Sequence, residues 1–241
     1  MQKNTMDRTS IVIIKICIFS IVLSLTALML CTLFYYWTDK DTDTWAQNNS
    51  PTVIIDAGHG GMDSGASYED VYEKELNLSL ALMLGDMLKS SGYEVIQTRT
   101  EDIMLGNGTK GSKKMQDLKE RVDLANSTDN AIFVSIHMNK FSQEKYSGLQ
   151  VFYSPNNQSS ALLAEKIQSN IKSILQSNNN REIKESGSNI FLLDNIDNPA
   201  VLVECGFLSN PDERTKLSTE EYRKELASVI YASVVEFLEQ V

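Results

Sequence analysis

Histidine, cysteine and proline are all scarce in this chain, with two, three and four residues respectively among 241, and the scarcity narrows what the protein can be. Cys17 and Cys31 fall in an apolar stretch near the N-terminus, leaving only Cys205 in the body of the chain. No disulfide can form within that body, so its stability has to come from core packing. Cations are also outnumbered, with 22 Lys and Arg against 32 Asp and Glu, a net charge of −10. Residues 1–50 hold four of each sign, so the whole excess lies beyond them. A surface of that sign argues against nucleic acid or anionic lipid as its partner, since both need clustered Lys and Arg. Internal repeats are absent, and 42% hydrophobic with 22% charged residues is an ordinary globular composition.

The apolar residues are unevenly spread. Ile16 to Tyr36 is a run without one charge, ICIFSIVLSLTALMLCTLFYY. As a helix it spans about 31 Å, the thickness of a bilayer core. Lys3, Arg8 and Lys15 precede it while Asp39, Asp41 and Asp43 follow, which on the positive-inside rule directs the rest of the chain out of the cytoplasm. The run is longer than the apolar part of a cleaved signal peptide, and no small-x-small site follows closely. Thr44-Trp45-Ala46 is the nearest weak candidate for such a site, and Leu30 before Cys31 is too bulky for lipoprotein processing. Residues 1–37 therefore read as a cytoplasmic N-terminus and transmembrane anchor, and the polar, aperiodic residues 38–50 as a tether. Residues 51–241 are long enough for one domain and hardly for two.

Within that domain short β-branched runs alternate with longer segments of helical period. Strands are expected at 52–56, 93–99, 131–137, 149–153, 189–193 and 200–207. Helices are expected at 75–92, 114–126, 158–176 and 219–240. The alternation predicts an α/β domain with a mostly parallel central sheet flanked by helices on both faces. Ligand sites in such sheets lie beyond the carboxyl ends of the strands. Three of those ends carry unusual chemistry: DAGHGG after the first strand, SIHMN closing the third, and VECGF closing the last.

His59 and His137, the only two histidines, both sit at such ends. One histidine there is ordinarily structural, whereas two of two point to a site. DAGHGGMDSG matches neither the P-loop nor the GxGxxG pattern and lacks the lysine a phosphate loop needs. Two neutral imidazoles and one carboxylate make a catalytic zinc set with a fourth position open to water. Spacing leaves the carboxylate open among Asp56, Asp63, Glu69, Asp70, Glu73 and Glu75, any of which can instead serve a turn or a helix N-terminus. Glu204 differs, because it follows Ala-Val-Leu-Val at the end of a buried strand, where an unpaired carboxylate is costly and its pKa rises. A structural ion pair and a general acid/base are the two readings of that position. Cys205 has no third histidine to activate it as a nucleophile. Met83 and Met87 read as core filler on one helix face.

The ordered motifs IIDAGHGGMDSGA, EKELNLSLAL, VIQTR, the spaced Leu118, Arg121, Ala125 and Asn126, then VSIHMN and PAVLVECGFLSNPDE span Thr52 to about Leu238. In them the chain resembles the zinc-dependent N-acetylmuramoyl-L-alanine amidases. The resemblance implies that His59, Glu73 and His137 hold Zn2+ and that Glu204 is the catalytic glutamate. It also implies hydrolysis of the amide between N-acetylmuramic acid and L-alanine in peptidoglycan. Asn77, Arg99 and Asn139 fall in the matched motifs, with capping, pairing or backbone orientation as their plainer roles. One departure concerns substrate contacts: where many members carry an arginine before PAVLVE, this chain has Asp194. Within the family it most resembles the germination-specific amidases of spore formers, which act on cortex peptidoglycan on the way to muramic-δ-lactam. The expected surroundings are the membrane, peptidoglycan strands and an accessory protein of unknown identity. The alternatives are a zinc peptidase cutting within the stem peptide and a non-catalytic peptidoglycan-binding module.

Overall fold

The computed structural model describes residues 8–42, 50–106 and 112–240, which fall into two units that divide after residue 49. The first unit is one helix, α1 (Arg8–Thr42). Its segment Lys15–Tyr35, with a mean hydropathy of 2.5, is long and apolar enough to cross a membrane. The helix continues to Thr42, into the segment read as a tether, whose remaining residues up to 49 lie outside the described ones.

The second unit runs β1 (Thr52–Ala57), β2 (Ser67–Tyr68), β3 (Val71–Tyr72), α2 (Glu73–Ser90), β4 (Val95–Gln97), α3 (Lys113–Ser127), β5 (Ala131–Asn139) and β6 (Gln150–Tyr153). It continues with α4 (Ser159–Ile174), β7 (Lys184–Glu185), α5 (Phe191–Asn195), β8 (Ala200–Phe207), α6 (Pro211–Ser218) and α7 (Glu220–Leu238). Six strands form one sheet in the order β4-β1-β5-β8-β6-β7. The first four are parallel, and β6 runs antiparallel to β8, so the sheet is mixed but mostly parallel. Strands β1, β5 and β8 are near-continuous apolar runs because both their faces are covered.

Alternation assigns each side chain to a face. Val53, Ile55, Ile132, Val134, Val201, Val203 and Cys205 join α2, α4 and α7 in the larger core, while Ile54, Phe133 and Leu202 join α3 and α5 in the smaller one. The two-faced packing matches the expected architecture. Local signals set several ends: the Ser112 hydroxyl accepts from the Met115 amide to cap α3, and Asn210 accepts from Asp212 and Glu213 ahead of Pro211 to cap α6.

Residues 189–193, expected as a strand, turn instead into α5, with the Asp194 amide donating to Ile190 O and Ile196 to Leu192 O. A five-residue apolar run has too little length for periodicity to separate strand from helix, and Leu192 and Leu193 bury equally well from one helical turn. The expected strand 93–99 is shorter, with β4 covering Val95–Gln97, and beyond it the side chains of Thr98 and Arg99 bond Asp56 and Ala57 of β1. The β2–β3 hairpin, β7 and α6 are not among the elements expected from the sequence.

Candidate metal centre

The order β1-β5-β8 sets the three unusual strand ends side by side. His59 follows β1 in a left-handed conformation, φ +62°, which is uncommon for a residue with a side chain. Gly58 before it admits no Cβ, since one built there falls 2.2 Å from His137 Nε2. A Cβ at Gly65 would fall 2.5 Å from Glu73 Oε2. Glycine is what lets the loops close on the site.

Glu73 is the first residue of α2, where the helix N-terminus favours a carboxylate. It is 3% exposed. Its Oε2 accepts from the Ala66 amide at 2.6 Å, and its Oε1 from the Met138 amide at 3.1 Å and Asn77 Nδ2 at 3.3 Å. Oε1 also lies 3.2 Å from His59 Nε2 and 2.9 Å from His137 Nδ1. Burial alone would raise its pKa, but hydrogen bonds from His137 and His59 hold it far below the usual carboxylate range. The two imidazole rings meet edge to face, with centroids 4.9 Å apart. Ligand atoms of His59, Glu73 and His137 lie within 4.8 Å of one another, a grouping that can hold a metal ion.

Three buried atoms in or beside this site have no hydrogen-bond partner among the described residues: Asn77 Oδ1, His137 Nε2 and Glu204 Oε2. Buried polar atoms are rarely left so, and a bound water or ion is one way of satisfying them. Two imidazoles and a carboxylate are also the donor set that suits zinc. Glu204 stands directly opposite His137 in the β5/β8 register and on the same face. Burial pushes its pKa up to about 7, against the pull of His137.

The remaining acidic candidates do not join this group. Asp56 is fully buried and bonds Arg121, Thr98 and Ser135. Asp63 accepts from His59 Nδ1 at 2.9 Å and faces Lys114, so it orients the imidazole from behind. Glu69, Asp70 and Glu75 are exposed. Cys205 points to the opposite face, into the large core, and burial pushes its thiol up and keeps it protonated. Met83 and Met87 pack against that same core. Asp194 accepts from Ser186 Oγ, Asn77 Nδ2 donates to Gly58 O, and the Asn139 carbonyl accepts from Leu208. Sequence reasoning passed over Asp63 as a partner for His59. Its signal was the separation of four residues inside a glycine-rich turn.

A family profile described as N-acetylmuramoyl-L-alanine amidase matches residues 53–236, almost the whole second unit. The chain belongs to the N-acetylmuramoyl-L-alanine amidase family. It is therefore a peptidoglycan amidase, and the stem-peptide peptidase and the non-catalytic module are set aside. The germination-specific N-acetylmuramoyl-L-alanine amidase of Bacillus subtilis (strain 168) is 34% identical over 217 residues, 87% of this chain and 90% of that one. Among solved structures, the CwlD amidase from Clostridioides difficile, in complex with the GerS lipoprotein, superposes with a TM-score of 0.75 at 38% identity. That match covers 79% of this chain and all of the other. The amidase AmiC2 of Nostoc punctiforme follows at 27% identity and a TM-score of 0.69, over 78% of this chain and 97% of that one.

Proposed function

We propose that His59, Glu73 and His137 hold a zinc ion and that Glu204 moves the protons of amide hydrolysis. The observation that carries this reading is the convergence of His59, Glu73 and His137, whose ligand atoms lie within 4.8 Å of one another, beside Glu204, whose buried Oε2 has no hydrogen-bond partner among the described residues. Zinc, when bound, supplies Lewis acidity that acidifies water and polarises a carbonyl. Glu73 and His59 are held in advance by backbone amides and by Asp63, so the site needs little reorganisation. Glu204 accepts a proton from the attacking water as the new C–O bond forms at the lactyl carbonyl. It then returns that proton to the L-alanine nitrogen as the C–N bond breaks, because an amide nitrogen leaves poorly as an anion. A pKa near 7 suits both halves of that exchange.

The substrate in this reading is the spore cortex, and the product lies on the way to muramic-δ-lactam, a role supported by the named function of the 34% identical relative. Helix α1 anchors the chain, with the amidase unit outside the cytoplasm. The solved complex of the CwlD amidase with the GerS lipoprotein adds a protein partner to the reading. Replacing Glu204 by alanine abolishes release of stem peptides with a free L-alanine amine while one zinc stays bound, and a fully active variant overturns the assignment. Muropeptides of spores from a strain lacking this protein test the germination role, which unchanged muramic-δ-lactam refutes.

A further inference from the structure

Arg121 and Arg99 lie in matched motifs, yet neither has a part in the chemistry above. Arg121 is 1% exposed and has all five of its N–H donors engaged. Nε donates to Asp117 Oδ2 at 2.9 Å; Nη1 donates to Asp56 and to Ala57 O; Nη2 donates to His59 O at 2.8 Å and to Asp117 Oδ1 at 3.2 Å. Its charge is matched by two carboxylates, so the side chain has no capacity left for substrate. What remains is its hold on the backbone.

That hold falls on the loop carrying His59. Arg121 takes the carbonyls of Ala57 and His59, while Arg99 takes those of Ala57 at 2.9 Å and Gly58 at 3.0 Å. Three successive carbonyls are thus turned toward two guanidinium groups, in the stretch where His59 adopts its left-handed conformation. Arg99 Nη2 also donates to Lys74 O at 2.8 Å, one residue after Glu73. One side chain therefore ties the backbone beside His59 to the backbone beside Glu73. Asp56 anchors the assembly from β1, with Thr98 and Ser135 donating to it.

We propose that Arg121 and Arg99 are positioning residues that clamp the His59 loop by its carbonyls and so set how tightly the metal is held. The inference rests on the zinc reading given above. A lysine keeps the charge but offers three donors from one atom and cannot bridge two carbonyls and two carboxylates.

The test uses the full chain in detergent, titrated with zinc against a fluorescent chelator. Wild type binds one zinc, and His137→Ala loses it; a wild-type chain without zinc, or His137→Ala at wild-type affinity, refutes the zinc reading itself. Given that control, Arg121→Lys and Arg99→Lys each weaken zinc binding by roughly 10- to 100-fold, the range for groups that orient metal ligands. Their circular dichroism stays that of a folded chain, and turnover lost at limiting zinc returns as free zinc is raised. Wild-type zinc affinity in either variant that folds overturns the proposal, even if its melting temperature falls. Failure of both to fold at saturating zinc also overturns it, because the clamp is then a core support and not a setting of the site.

Discussion

Glu204 is a carboxylate placed where water is scarce and no hydrogen-bond partner is offered, and two consequences follow at the scale of the single residue. Glu204→Gln keeps size and shape but cannot accept the proton, so kcat falls by roughly 10²- to 10⁴-fold with zinc content unchanged, as metal analysis beside a peptide-release assay will show. The pH dependence follows from the raised pKa. In the proposed mechanism deprotonated Glu204 is the active form, so kcat/KM should rise with pH along a limb at or below about pH 7, since a bound cation adds to the pull of His137. That limb disappears in Glu204→Gln. Folding responds in the opposite sense. In the metal-free chain the raised pKa stabilises the fold below the unfolded value of 4.5, and this contribution is lost as pH rises toward about 7. The residue-level signals in the sequence were uneven. Two histidines at strand ends and an acid closing an apolar run were legible, because position along a strand is a local property. The selection of Glu73 over five other acids was not, since it depends on amides of Ala66 and Met138 that folding brings to it.

Among the elements, β1 and α3 are joined through the buried pair Asp56 and Arg121. Burial would raise the Asp56 pKa, but Arg121 and the hydroxyls of Ser135 and Thr98 bring it below the usual value. A depressed carboxylate stabilises the fold above its unfolded pKa, near 3.8, and loses that contribution as pH falls through the folded value. Asp56→Asn should therefore flatten the acid limb of a stability-versus-pH curve below about pH 4. At neutral pH it should cost about 3–5 kcal/mol in urea unfolding, because Arg121 is left partly uncompensated. The short helix α6 gives a smaller effect. Its cap Asn210 receives two amide hydrogen bonds, and Glu213 on the same helix accepts from Phe207 and Gly148. Asn210→Ala should cost about 1 kcal/mol, measured the same way. Strong periodicity made α2, α4 and α7 legible in the sequence, and unbroken apolar runs did the same for β1, β5 and β8. Element α5 was misread as a strand, because its five residues carry apolarity without a period.

For the whole molecule, the proposed reading gives location to the first unit and catalysis to the second. Deleting residues 1–49 should release the amidase unit from carbonate-washed membranes into the soluble fraction, followed by fractionation and immunoblot, with zinc-dependent peptide release retained. Retention in the membrane pellet would refute α1 as the anchor. The sequence by itself determined the apolar helix, the alternation that makes an α/β domain, and the family motifs with their two histidines. Each of these is written in neighbouring residues, where periodicity and composition act directly. Only the tertiary structure decided that β1, β5 and β8 lie side by side, that Cys205 faces away from Glu204, and that Arg121 grips a loop 62 residues before it. Those outcomes depend on strand order and on contacts between distant residues, which no local pattern encodes. The same distance separates the opening pair of histidines from the proposed site: their positions were readable, while the carbonyl contacts that Arg121 and Arg99 make beside one of them exist only in the fold.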